Sequence, residues 1–165
     1  ERMDGAAVLI AQHMTPGFTP GFARWLTTVV GRPVEIARHG APCLAGHIYV
    51  PPDAHHLEVD RSRRLVTPPS LAALPCPSGN RLLHSLARAY GVAALGVVMT
   101  GMGDDGASGL LELRRVGGVT MAQDAASSVV YGMPHAAHQA GATDLLLPPA
   151  ALATLIQELL AQPGG

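Results

Sequence analysis

A chain of 165 residues fits one domain with a substantial buried core. A hydrophobic share of 48% against 14% charged describes a compact interior, and a net charge of -1 offers no electrostatic footing for nucleic acid. All eleven basic residues are arginine, and the absence of lysine removes Schiff-base chemistry and the phosphate-loop lysine.

Residues 6–12 form a continuous apolar run that suits a strand buried on both faces, ending at His13. Thr19 and Pro20 supply a cap and a first-turn proline for a helix to about Val30, with Phe22, Trp25, Leu26 and Val29 on one face. Short apolar runs at 34–37 and 47–50, bounded by glycine and proline, read as further strands. Leu57 and Val59 face Leu65 and Val66 across a polar turn, an antiparallel hairpin at the margin of a mainly parallel sheet. Residues 67–77, rich in proline and serine, read as a surface loop. Ser78 opens a helix to about Tyr90 with Leu82, Leu83, Leu86 and Ala89 inward, and Gly91 stops it.

The stretch 95–118 is the centre of the chain: an apolar strand breaks at Thr100 into a glycine turn with two aspartates, and leucines at helical spacing follow. Residues 119–122 make another strand, Pro134 starts a short helix closed by Gly141, and 143–147 make one more strand. Pro149 then starts a terminal helix whose inward stripe is Leu152, Leu155, Ile156, Leu159 and Leu160. Strands alternating with helices predict an α/β, doubly wound, mainly parallel sheet with helices on both faces and a small antiparallel hairpin at one margin.

Ligands of such sheets sit outside the carboxyl ends of strands, which directs attention to His13 and to the turn holding Met102, Asp104 and Asp105. If the two strand ends are neighbours, His13 and Asp105 form an imidazole–carboxylate pair, two thirds of a hydrolytic triad. The plainer alternatives are a capping or buried His13 and an Asp105 that caps the helix following it. Gly101, Gly103 and Gly106 also satisfy G-x-G-x-x-G, with Asp124 at the distance of a ribose-binding acid. Two aspartates at that helix entrance oppose a pyrophosphate, which needs free N–H groups and positive potential there. Adjacent His55 and His56 point apart on a strand, and His135 and His138 share a helix face without cysteine or carboxylate companions nearby, a weak basis for zinc.

Cys43 and Cys76 have neither C-x-x-C nor zinc-finger spacing, which favours a reduced, cytoplasmic setting. No uninterrupted apolar run reaches the length of a membrane span, the richest (145–161) being cut by Pro148, Pro149, Gln157 and Glu158. The first residues lack the order of an export signal. No membrane insertion is expected.

Three segments, AQHMTPGF at 11–18, MTGMGDDG at 99–106 and VVYGMP at 129–134, resemble signature stretches of the chemotaxis receptor protein-glutamate methylesterases, CheB-type catalytic domains. Weaker agreement runs through GHIYVPPDAHH at 46–56, PSGNRLLHSLA at 77–87 and VTMAQDAASSVV at 119–130. The resemblance implies a cofactor-free serine hydrolase that cleaves methyl esters of glutamate side chains on chemoreceptors and often deamidates glutamines there. It matches His13 and Asp105 to the family's triad histidine and aspartate, and Met102 to the residue whose backbone N–H helps bind the oxyanion. Asp104 stands where relatives often carry asparagine. The family's nucleophile is the serine of a G-A-S-T-G-G turn after a first, internal strand, upstream of the histidine, and these residues do not include it. The expectation is therefore a single catalytic domain over 1–165, truncated before His13, with a gap in its sheet and without the receiver domain common in the family. Either the piece belongs to a longer polypeptide or it is a relative without a nucleophile, acting as a binding or regulatory module.

Overall fold

Six of the eight strands among the described residues pair in parallel, as short apolar strands separated by helices require. The computed structural model describes residues 5–71 and 75–161. In chain order the elements are β1 (Val8–Leu9), α1 (Thr19–Val30), β2 (Val34–Ile36), β3 (Ile48–Val50), β4 (Glu58–Val59), β5 (Leu65–Val66), α2 (Gly79–Tyr90), β6 (Leu95–Val98), α3 (Ala107–Arg115), β7 (Val119–Gln123), α4 (Met133–Gln139), β8 (Leu145–Leu147) and α5 (Pro149–Ala161). Part of the proline-rich loop, 72–74, lies outside the described residues.

The parallel strands form two three-stranded sheets, β1-β3-β2 and β6-β7-β8, and the hairpin β4-β5 stands as a sheet of its own. Among the described residues β1 pairs with β3, and β6 with β7. The expected parallel pairing is present in both three-stranded sheets. Helix α2 ties the halves together. Its Leu82 packs into a core with Tyr49, Leu57, Val59 and Leu65, whereas Leu83 and Ala87 enter a second core with Val98, Leu110, Leu113 and Ala122. Leu86 and Tyr90 lie against both. Leu110 and Leu113 are fully buried. Leu110→Ala is expected to cost about 2 to 5 kcal/mol through lost burial and the cavity left behind, read as a lowered urea midpoint.

Two local expectations are corrected. β1 is two residues long, with one further backbone bond from Ile10 N–H to Tyr49 O, and does not run on to residue 12. Thr19 is not the cap of α1: the N-cap position is Phe18, without a side-chain cap, and the Thr19 N–H donates to Asp53 Oδ1 at 3.2 Å. On the apolar face of α1, Trp25 and Val29 are 59% and 61% exposed while Phe22 and Leu26 are half-buried, and Thr19 and Ala23 are the buried residues of the helix.

Candidate active site

β1 and β6 deliver two loops to one place. His13 follows β1 by a few residues, Asp105 lies in the turn after β6, and His13 Nε2 meets Asp105 Oδ2 at 2.8 Å across 92 residues of chain. Asp105 is 4% exposed, whereas 34% of the His13 side chain reaches solvent. One member is thus fixed in the protein while the other faces outward.

Asp105 is anchored by the start of α2. Its Oδ1 accepts from the Ser78 hydroxyl at 2.9 Å and the Asn80 N–H at 2.9 Å, and its Oδ2 accepts from the Gly79 N–H at 2.6 Å beside His13. Four donors fill the carboxylate's acceptor sites, three from the amino end of one helix, where N–H groups lack helical partners and the potential is positive. Burial pushes the Asp105 carboxyl up, but hydrogen bonds from His13, Asn80, Gly79 and Ser78 outweigh it and hold the group at about 2. Ionised at neutral pH, it can only accept, so His13 Nε2 carries the proton and the Nδ1 lone pair is left for other work. The reading of Asp105 as cap of its own helix is corrected: it accepts from the first N–H groups of α2, whose N-cap is Ser78, while α3 has Gly106 as N-cap and no side-chain cap.

The turn itself is pinned to its neighbours. Thr100 N–H donates to the buried Gln123 Oε1 at 2.9 Å, and the Thr100 hydroxyl donates to Val130 O at 3.1 Å while accepting from Val130 N–H at 2.9 Å. Gly101 O accepts from Gly132 and Met133 N–H groups. Among the described residues the Met102 N–H has no acceptor, and its side chain is 82% exposed. A Cβ at Gly132 would lie 2.6 Å from Gly101 O and 3.2 Å from Met102 Cα. Gly132→Ala should therefore displace the Met102 turn and destabilise the fold by about 1 to 3 kcal/mol, measurable by urea unfolding.

Turn geometry explains the glycine spacing without a dinucleotide, since Gly103 and Gly106 adopt φ of +92° and +96°. Two of the N–H groups at that helix entrance are engaged within the protein: Ala107 N–H donates to Asp104 O and Gly109 N–H to Asn80 Oδ1. Asp124 accepts from the Ser127 N–H and hydroxyl. Asp104 is exposed. His55 Nδ1 bonds to Asp53 O, His56 Nδ1 accepts from Ser78 N–H, and His135 lies against the Tyr131 ring. Among the described residues no group of three or more histidine, cysteine, aspartate or glutamate side chains could hold a metal ion. No helix there is long and apolar enough to cross a membrane. Ser78 is the serine nearest this chemistry, yet it is buried and bonds the far oxygen of Asp105, not His13. Ser78 and Gln123 are the supports that local sequence patterns do not reveal. Ser78 reads there only as a helix opener.

A family model described as CheB methylesterase matches residues 2–156. The chain is 52% identical over 149 residues to a Myxococcus xanthus protein named protein-glutamate methylesterase/protein-glutamine glutaminase 3, covering 90% of this chain and 42% of that one. A protein of the same name from Anaeromyxobacter dehalogenans is 46% identical over 150 residues, covering 90% and 44%. The chain thus spans less than half the length of these relatives. The crystal structure of the Thermotoga maritima CheB methylesterase catalytic domain superposes with a TM-score of 0.84 at 29% identity, covering 93% of this chain and 82% of that one.

Proposed function

This chain belongs to the CheB methylesterase family, and from that premise we propose that it supplies the base, carboxylate and oxyanion donor of a cytoplasmic serine esterase acting on chemotaxis receptors. Its substrates are receptor glutamate methyl esters and glutamine amides. The carrying observation is the 2.8 Å contact of His13 with Asp105 across the strand ends.

The nucleophile in this reading is the serine of a G-A-S-T-G-G turn that follows the family's first, internal strand, upstream of the histidine. His13 Nδ1 takes the serine hydroxyl proton as the oxygen attacks the ester carbonyl, because Nε2–H is committed to Asp105. This ring orientation is the reverse of the template triad, where Nδ1 faces the carboxylate. Asp105 stabilises the imidazolium without taking its proton. The tetrahedral oxyanion is met by the Met102 N–H, already without a protein acceptor among the described residues. The intermediate collapses, the proton passes from Nδ1 to the leaving oxygen, and methanol departs, leaving an acyl-serine. Water then attacks with Nδ1 again as base, releasing the glutamate carboxyl and restoring the serine. With a glutamine substrate the leaving group is ammonia.

The test is a chimera carrying the strand and serine turn of a relative ahead of residue 1, given receptor fragments with methylglutamate. Methanol release by the chimera, and none by the 165-residue chain alone, is the expected result. A chimera that binds the methylated fragment and releases no methanol would point instead to a binding module.

A further inference from the structure

Ser78 takes no part in the chemistry above, yet it is buried and bonded on every polar side. Its N–H donates to His56 Nδ1 at 3.0 Å, its hydroxyl oxygen accepts from the Arg81 N–H at 3.3 Å, and its hydroxyl proton goes to Asp105 Oδ1 at 2.9 Å. His56 is 1% exposed, so the residue that holds the Ser78 backbone is itself buried. Arg81, one helical turn on, pairs with Glu58 of β4 and ties the same helix end to the hairpin. A buried chain of hydrogen bonds therefore runs from His56 through Ser78 to Asp105 and out to His13.

We propose that Ser78 is a positioning residue of this site: its hydroxyl grips Oδ1 of Asp105 so that Oδ2 stays aimed at His13 Nε2. The inference rests on the functional reading of the pair, but its geometry does not. Gly79 and Asn80 contribute backbone N–H groups that any residue would provide, whereas Ser78, the N-cap of α2, makes the one contact from this helix end that comes from a side chain. The Ser78 oxygen already accepts from Arg81, and its proton has Asp105 as its partner, so the cap of α2 and the orientation of the carboxylate are one arrangement. Without that hydroxyl, Oδ1 keeps a single donor. The carboxylate can then rotate, and the imidazole loses its fixed ring orientation.

The experiment is imidazole 15N–1H NMR on the 165-residue chain, with the His13 signal identified by its disappearance in His13→Gln. The wild type is expected to show His13 protonated at Nε2, with a downfield, slowly exchanging proton. Ser78→Ala should broaden that signal or move it upfield, with exchange faster by roughly tenfold or more as the bond loosens. Ser78→Gly guards against a simple capping defect, because glycine is nearly as good a helix cap and also lacks the hydroxyl. Ser78→Thr should restore the signal. In the serine-bearing chimera Ser78→Ala should lower kcat by roughly tenfold to a hundredfold, as misplaced catalytic groups do, with little change in KM. An unchanged His13 signal in folded Ser78→Ala and Ser78→Gly would overturn the proposal. A chimera without turnover would count against the esterase reading and leave the NMR result intact.

Discussion

His13→Ala, made in the serine-bearing chimera, is expected to lower methanol release by roughly four to six orders of magnitude while leaving the fold almost untouched. The two halves of that expectation come from the same geometry. Of the groups bonded to Asp105 among the described residues, the imidazole is the one base, and 34% of its side chain reaches solvent, so it can pass a proton between the protein and an attacking hydroxyl. Its loss leaves Asp105 with three donors from the start of α2, and water can fill the fourth site from the solvent-facing side that the His13 ring occupied. The stability cost should be about 1 kcal/mol or less, a shift of a few degrees in Tm. Full turnover in this variant would remove the base from the mechanism.

Asp105→Asn is expected to fail twice, in turnover by roughly four orders of magnitude and in stability by about 3 kcal/mol or more. An amide cannot accept on both sides. Its NH2 group must face either the Asn80 N–H and Ser78 hydroxyl or the Gly79 N–H and His13, so donors meet donors in a buried place. The carboxylate also sets an acid limit. Its folded value of about 2 lies below the unfolded value of about 4. The stabilisation is therefore complete above the unfolded value and is lost as pH falls toward the folded one, amounting to roughly 2 to 3 kcal/mol between about pH 5 and pH 2. Asp53, through its bond with Thr19, and Asp144, through Arg114, shift in the same direction. Urea midpoints at neutral and acid pH should thus converge between wild type and Asp105→Asn as the pH falls. A gap that stays constant would separate Asp105 from the acid response.

His13→Ala and Asp105→Asn differ because their surroundings differ, and only part of that is written locally in the sequence. The strand, glycine turn and helix around Asp105 are legible from an apolar run, clustered glycines and leucine spacing, and the hairpin from two short alternating segments around a polar turn. The meeting of His13 with Asp105 is reachable as well, since parallel strands bring their carboxyl ends to one rim. The outward face of α1 is not, because periodicity reports that Phe22, Trp25 and Val29 share a stripe without saying whether anything covers it. Nor is the partner of Asp105 legible. An aspartate in a turn before a helix looks like that helix's cap, and its attachment to Ser78, Gly79 and Asn80 is a tertiary contact with no local signature. The division of the parallel strands into two three-stranded sheets is a matter of pairing, not of the composition of any one strand.

If His13 and Asp105 work as a single unit, their effects cannot multiply. The direct test is methanol release by the chimera carrying His13→Ala, Asp105→Asn and both together. A double variant within roughly threefold of His13→Ala is the predicted result, because a carboxylate that acts only through the imidazole has nothing left to do once the ring is gone. A double variant slower by the product of the two single losses would contradict it, and would mean that the 2.8 Å contact joins two residues acting independently.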